Sequence, residues 1–238
     1  MVMSGAAADP ARPTLLLVHG AWHGAWCWTK LETELAARGW KSRAVDLPSA
    51  VRAAPSAGPL PGVLDDADVI REAIAAIGRP VAVVAHSYGG IPVTQATAGA
   101  TNVTHLVYLA AYQLDTQENL LSFRGEFEPE LVVEEGLVHP TADPAADLYG
   151  DVSEHETAAA TAQLVPHSAR CAMERVTQVG WHSTPSSYIV CDRDRMVPPA
   201  QQEKMAARAN TTYHLASGHS PFLSVPGEVA ALLTLILG

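Results

Sequence analysis

The stretch Ala85-His86-Ser87-Tyr88-Gly89-Gly90 follows the apolar run Pro80-Val81-Ala82-Val83-Val84 and precedes Ile91 to Gly99, which reads as a helix. A serine at a strand-to-helix corner, between residues with little or no side chain, is the sequence form of a nucleophile elbow. The turn is so tight that the positions two before and two after the serine must be small, hence the usual pattern G-x-S-x-G. Ala85 replaces the first glycine, a difference of one methyl group, while Gly89 and Gly90 keep the far side open. Such a corner exposes the Ser87 hydroxyl and sets the Tyr88 amide at a helix N-terminus, where it can stabilise a developing oxyanion. The motif alone is equally compatible with a plain tight connection, so its context decides.

Outward from this corner, strands and helices alternate. Thr14 to Val18 is an apolar run without polar alternation, as expected of a strand buried on both faces of a parallel sheet. It leads into His19-Gly20-Ala21-Trp22-His23-Gly24, and Trp26 to Arg38 then reads as a helix closed by Gly39. Ser42 to Val45 is a short strand, and the proline-rich stretch from Pro48 to Gly62 a surface loop. Val63, Ala67, Ile70, Ile74 and Ile77 recur at helical spacing, with Asp65, Asp66 and Asp68 near the end where the dipole favours them and Gly78 as terminator. Strands His105 to Leu109, Ser186 to Val190 and Thr211 to Leu215 follow, with helices Pro199 to Ala209 and Val225 to Leu237. Residues 113–184 break this rhythm and read as short helices without a buried strand. The pattern predicts an α/β fold with a mostly parallel sheet and an inserted helical lid. Its parts are a first core segment (1–112), the lid (113–184) and a second core segment (185–238), one catalytic domain in all.

The 238 residues are 48% hydrophobic and 17% charged, which fits a globular chain with a sizeable core. With 15 basic against 25 acidic residues the formal net charge is −10, which argues against nucleic acid and anionic membrane surfaces as partners. The apolar runs, such as Val229 to Leu237, are core-sized and not membrane-spanning. Met1 to Arg12 reads as a loose tail without a secretory signal. Cys27, Cys171 and Cys191 are odd in number and lack metal-like spacing, so free thiols and a cytoplasmic location are expected.

A serine nucleophile needs a base to take its proton and an acid to orient that base. In enzymes built on such an elbow these arrive in the chain order Ser, Asp/Glu, His. His219, in Ala216-Ser217-Gly218-His219-Ser220-Pro221 beyond the last strand, is the candidate base. Asp192 and Asp194 both follow the strand ending at Val190, where open α/β sheets put their sites, and either can supply the acid. The second oxyanion donor belongs in the loop after the first strand, where Gly20 leaves room for the backbone and Ala21 offers its amide. His23, in that loop, is a candidate substrate contact together with Gly20, with loop packing an equal alternative for the histidine. Trp22, Trp26 and Trp28 read as core, His19 as a residue that orders its loop, and the other histidines show no ligand-like clustering.

His19-Gly20-Ala21-Trp22-His23-Gly24-Ala25-Trp26-Cys27-Trp28, the elbow, and Tyr188-Ile189-Val190-Cys191-Asp192-Arg193-Asp194-Arg195-Met196-Val197-Pro198 together resemble the plant methylesterase and hydroxynitrile lyase branch of the α/β hydrolases, with its bacterial esterase relatives. The likeness covers both ends of the chain and fades across residues 113–184. The resemblance implies that Asp194, by its spacing before Met196-Val197-Pro198, is the acid. The lyases carry a threonine in the oxyanion loop and a lysine directly after the catalytic histidine; Gly20 and Ser220 stand there instead, and Gly20-Ala21 matches the esterase form. The chemistry implied is hydrolysis of a small or medium apolar carboxylic ester through an acyl-enzyme, with Ser87, His219 and Asp194 catalytic and the Ala21 and Tyr88 amides receiving the oxyanion. Neither a metal nor a cofactor is called for, and the partner is a small-molecule ester. The rival expectations are hydroxynitrile lyase-type C–C cleavage and a low-turnover small-molecule binding protein. Oligomeric state is open.

Overall fold

The computed structural model describes residues 12–51, 58–124 and 133–238. The expected N-terminal tail, except Arg12, lies outside the described residues, as do the middle of the 48–62 loop and residues 125–132 of the insertion. The chain runs through β1 (Thr14–Val18), a 3-10 turn (Ala25–Trp28), α1 (Thr29–Ala37), β2 (Ser42–Val45), α2 (Val63–Ile77), β3 (Val81–His86), α3 (Gly90–Ala96) and β4 (Val103–Leu109). Next come α4 (Leu120–Arg124), β5 (Val133–Glu134), β6 (Leu137–Val138), α5 (Pro144–Asp147), α6 (Glu154–Thr161), β7 (His167–Ser168) and α7 (Arg170–Met173). The core resumes with β8 (Ser186–Cys191), α8 (Pro199–Ala206), β9 (Thr211–Leu215), α9 (Pro221–Ser224) and α10 (Pro226–Leu237).

The main sheet has the order β2-β1-β3-β4-β8-β9, and its pairings are parallel. Every residue of β1, β3 and β8 is buried, which is why these strands read as unbroken apolar runs. Successive side chains point to opposite faces, so two cores form. Leu16, Val18, Val83 and Ala85 pack with Ile70, Ile74 and Met205 from α2 and α8. Leu15, Leu17, Ala82 and Val84 pack with Leu31, Leu35, Val229 and Leu233 from α1 and α10. Each fully buried leucine or valine contributes roughly 1.5–3 kcal/mol. β9 closes one edge with exposed Thr211, Thr212 and His214, a polar strand that offers little to a foreign sheet. The register aligns Val18 with Val45 and Ala85, and His86 with Leu109, so the loops beyond these strands emerge along one rim.

The segment between β4 and β8 carries the expected short helices, α4 to α7. It also holds a three-stranded antiparallel sheet, β5-β6-β7, whose strands have two residues each and are too short to show an alternating pattern. The β5–β6 hairpin turns on Glu135 and Gly136, at φ of 51° and 79°, and two left-handed residues in succession make the turn whose twist suits a two-residue hairpin. Straps tie this segment to the core. Arg208 holds Glu118 through two bonds of 2.6 and 2.8 Å, and Glu174 accepts from the Val63 amide at the start of α2. Asp151 accepts from the Gly218 amide at 2.6 Å.

At the corner between β3 and α3, Ser87 has φ of 51°, a conformation that costs a non-glycine residue on the order of 1–3 kcal/mol. The glycines after it answer a shortage of space. A Cβ on Gly89 would lie 2.4 Å from the His19 carbonyl oxygen, and one on Gly90 would lie 2.6 Å from that of Tyr112. Both obstacles are backbone and cannot swing away. Gly89→Ala should therefore destabilise the fold by about 3 kcal/mol or more, measured by urea denaturation, whereas Gly227→Ala, with 3.6 Å to its nearest neighbour, should cost less than about 1 kcal/mol.

Candidate active site

The rim brings together three residues that are far apart in the chain. Ser87 Oγ lies 3.1 Å from His219 Nε2, and His219 Nδ1 lies 2.7 Å from Asp194 Oδ2. Nδ1 must donate to the carboxylate, so Nε2 is left to accept the serine proton. All three side chains are buried. Asp194 is held from several directions. Its Oδ1 accepts from the amides of Met196 and Val197 at 2.8 and 2.9 Å, and its Oδ2 accepts from Gln202 Nε2 at 3.0 Å. Gln202 is itself fixed, accepting from the Cys191 amide and donating to the Val197 carbonyl. Asp192, the other acid left open by the sequence, is exposed and pairs with His214 at 2.8 Å on the surface.

The His219 loop is braced from behind. His86 Nε2 donates to the His219 carbonyl at 2.8 Å, and the two rings lie 4.6 Å apart. Burial, with the neighbouring His219 and His23, pushes the His86 imidazole well below its ordinary range and keeps it a neutral strut. His19 orders its loop as expected: its Nδ1 donates to the Gly20 carbonyl and its Nε2 accepts from the Leu47 amide.

Above Ser87 lies a cavity of about 50 Å³, room for roughly four waters or a small acyl group. Ala21 and Trp22 border it from the first loop, Ser87 and Tyr88 from the elbow, and Met196 and Val197 from the acid loop. The two residues expected to donate oxyanion amides, Ala21 and Tyr88, thus flank the serine in one space. Gly20 and His23, expected to touch substrate, do not line it. Gly20 serves close approach, since a Cβ there would stand 2.7 Å from Ser87 Cβ. His23 packs the loop: its Nδ1 donates to the Ala21 carbonyl and its Nε2 accepts from Tyr149 Oη, both within 2.9 Å. Burial lowers its pKa to about 3. Trp22, expected in the core, is buried but contributes to the cavity wall, with Nε1 anchored on the Val138 carbonyl at 3.0 Å. Sequence reasoning missed the residues that the β4–β8 segment adds, among them Arg124, Val138, His167 and Ser168. They lie on elements too short for periodicity to place.

Sheet order, elbow and Ser–His–Asp geometry define a member of a known class, and the chain belongs to the alpha/beta hydrolase family, whose model matches residues 15–232. A probable hydrolase of Phoma sp. is 32% identical over 248 residues, covering 95% of this chain and 99% of its own length. Methyl jasmonate esterase 1 of Vitis vinifera is 27% identical over 245 residues, covering 92% of this chain and 94% of its own. The crystal structure of a methylesterase from Arabidopsis matches with a TM-score of 0.79 at 25% identity, over 94% of this chain and 98% of that one. The methylesterase branch that the motifs resembled is the one these relatives represent, and the protein is an esterase-type hydrolase. No helix among the described residues is long and apolar enough to cross a membrane.

Beneath the elbow sits a buried carboxylate. Asp66 accepts from the Ser49 amide at 3.0 Å, from Ser49 Oγ at 2.5 Å and from Tyr88 Oη at 2.7 Å. The sequence sets it with Asp65 and Asp68 near the dipole-favoured end of α2, yet the three differ. Asp65 accepts from the Gly62 amide before the helix, and Asp68 pairs with Arg71 on the surface. Asp66 lies three residues after Val63 and four before Ile70, on the buried stripe of α2, and that spacing was the available signal. Burial raises its pKa from 3.8 to about 6, against the pull of its hydrogen bonds. An acid raised on folding favours the protonated native state, so its contribution to stability is full below pH 3.8 and is lost as pH rises through about 6. The unfolding free energy of wild type minus that of Asp66→Asn should therefore fall by about 2 kcal/mol between pH 4 and pH 7. A pH-independent difference in denaturation midpoints would exclude a raised value.

Proposed function

We propose that the protein hydrolyses a small or medium apolar carboxylic ester through an acyl-enzyme on Ser87. The observation that carries this is the unbroken path from Asp194 through His219 to Ser87, opening on a mainly apolar cavity. Ser87 Oγ attacks the ester carbonyl while His219 Nε2 takes its proton, and Asp194 stabilises the imidazolium through Nδ1. The oxyanion develops towards the Ala21 and Tyr88 amides, whose dipoles are already oriented and need no reorganisation. The tetrahedral intermediate collapses, the C–O bond to the alcohol breaks, and His219 returns its proton to the departing oxygen. Water then enters and attacks the acyl carbonyl as His219 takes its proton; the acyl–Oγ bond breaks, His219 returns that proton to Ser87 Oγ, and the acid leaves.

The relatives named methylesterase and methyl jasmonate esterase support an alkyl ester with a small alcohol. A lyase reading finds less support, because the residue after His219 is the buried, uncharged Ser220, which offers no charge to a cyanide leaving group. The test is hydrolysis of a panel of short- and medium-chain p-nitrophenyl and aryl methyl esters. Ser87→Ala should lose at least about 10³-fold in kcat, and Asp194→Asn about 10³–10⁴-fold. Asp192→Asn should stay within about twofold, since its partner is a surface histidine. Turnover that survives Ser87→Ala, or equal losses in the two aspartate variants, would refute the mechanism; mandelonitrile cleavage without ester hydrolysis would select the lyase.

A further inference from the structure

The cavity wall opposite the oxyanion loop carries polar groups that the ester chemistry does not use. Arg124, at the end of α4, is 5% exposed, and among the described residues lining the cavity it is the only one with a formal charge. Among the described residues no carboxylate lies within ion-pair distance of it, and its Nε is buried without a hydrogen-bond partner. Among the other residues that line the cavity, both ring nitrogens of His167 and the Ser168 hydroxyl are also buried and unpartnered. Burial lowers the His167 pKa to about 3, so at neutral pH its ring has one donor and one acceptor to offer. α4 is tied in place by Asn119 Nδ2, which donates to the Met173 carbonyl at 2.9 Å.

Buried cations in folded proteins are as a rule paired, because an unpaired one forfeits its hydration. The Arg124 Nε and three further unpartnered polar atoms, on residues that line one small cavity, form a group suited to an anionic ligand. We propose that this wall is a carboxylate-binding subsite, and that the preferred substrates are esters bearing a second, ionised carboxyl group, such as half-esters of short dicarboxylic acids. The proposal rests on the ester-hydrolysis reading for the bond that is cut. The planar guanidinium matches a carboxylate with two parallel bonds, which a neutral ester tail cannot make. The His167 N–H and Ser168 O–H supply further donors to the same anion.

The test compares kcat/KM for the monomethyl esters of succinate, glutarate and adipate with the methyl esters of the matching branched acids, in which an uncharged isopropyl end replaces the carboxylate. Wild type should favour at least one half-ester over its neutral counterpart by roughly 10–100-fold. Arg124→Gln should abolish that ratio, which cancels any general loss of activity, and Arg124→Lys should keep part of it. No preference by wild type at any of the three lengths, or a preference that survives Arg124→Gln, overturns the proposal. Binding is read separately in Ser87→Ala, where the half-ester should raise Tm and the added Arg124→Gln should remove the shift. Half-esters that stabilise Ser87→Ala while wild type cleaves neither series would sink the hydrolytic reading and keep the subsite. Neutral esters cleaved with no half-ester bound or preferred would do the reverse.

Discussion

The corner at Ser87 is the constraint from which the rest of the site follows. Its left-handed backbone lifts the side chain off the end of β3, and that turn is possible only if the next residues pass hard against the loop after β1. Gly89 meets the Val18 and His19 carbonyls, Gly90 meets Tyr112, and Gly20 stands against Ser87 itself. Three glycines from two loops thus solve one packing problem, and its solution places the Ala21 and Tyr88 backbones on either side of the serine. The Tyr112 amide, donating to the Ser87 carbonyl at 3.0 Å, closes the turn from the β4 side. A strained residue persists where its surroundings over-determine it, and here the surroundings are three neighbouring parallel strands.

The same economy appears on the acid side. A carboxylate buried next to an imidazole loses hydration that its partner alone cannot restore. Asp194 regains it from two backbone amides and the Gln202 side chain, all within 3.0 Å. Gln202 lies on α8 and returns to the ends of β8 through Cys191, so the helix that covers the sheet also aims the acid. Asp192, two residues away, has none of this and remains in solvent with His214. The difference between the two aspartates is one of burial and partners, not of local composition.

Much of this was legible in the chain. The buried strands declared themselves as apolar runs because a parallel sheet covered on both faces tolerates nothing else. α2 was readable from Val63 to Ile77 with its terminating Gly78, since a long amphipathic stripe and a left-handed cap are strong local signals. Ser87 was readable because a tight turn restricts its neighbours, and His219 from its place beside Gly218 beyond the last strand. Two kinds of residue were not. Asp66 reads only as a dipole-favoured acid near the start of α2, although its spacing from Val63 and Ile70 puts it on the buried stripe, where it bonds Ser49 and Tyr88. The small sheet β5-β6-β7 was invisible because two-residue strands have no period, and only the Glu135-Gly136 turn marked it.

That division has a physical meaning for the site. Chemistry is carried by the ends of long core strands, whose sequences are constrained by burial over many residues and are therefore readable. The opposite wall of the cavity is carried by α4, β6 and β7, elements of two to five residues whose positions depend on straps to the core and not on their own periodicity. Glu118 on Arg208 and Asp151 on Gly218 are such straps, and the second reaches the loop that holds His219. Such short elements can exchange side chains without disturbing the sheet, because no long-range pattern has to be kept. Arg124 stands in that wall, at the end of the five-residue α4 and outside both sheet cores. The Ser–His–Asp geometry is thus held by the ends of the parallel strands, and part of the cavity lining by the segment that strand patterns cannot reveal.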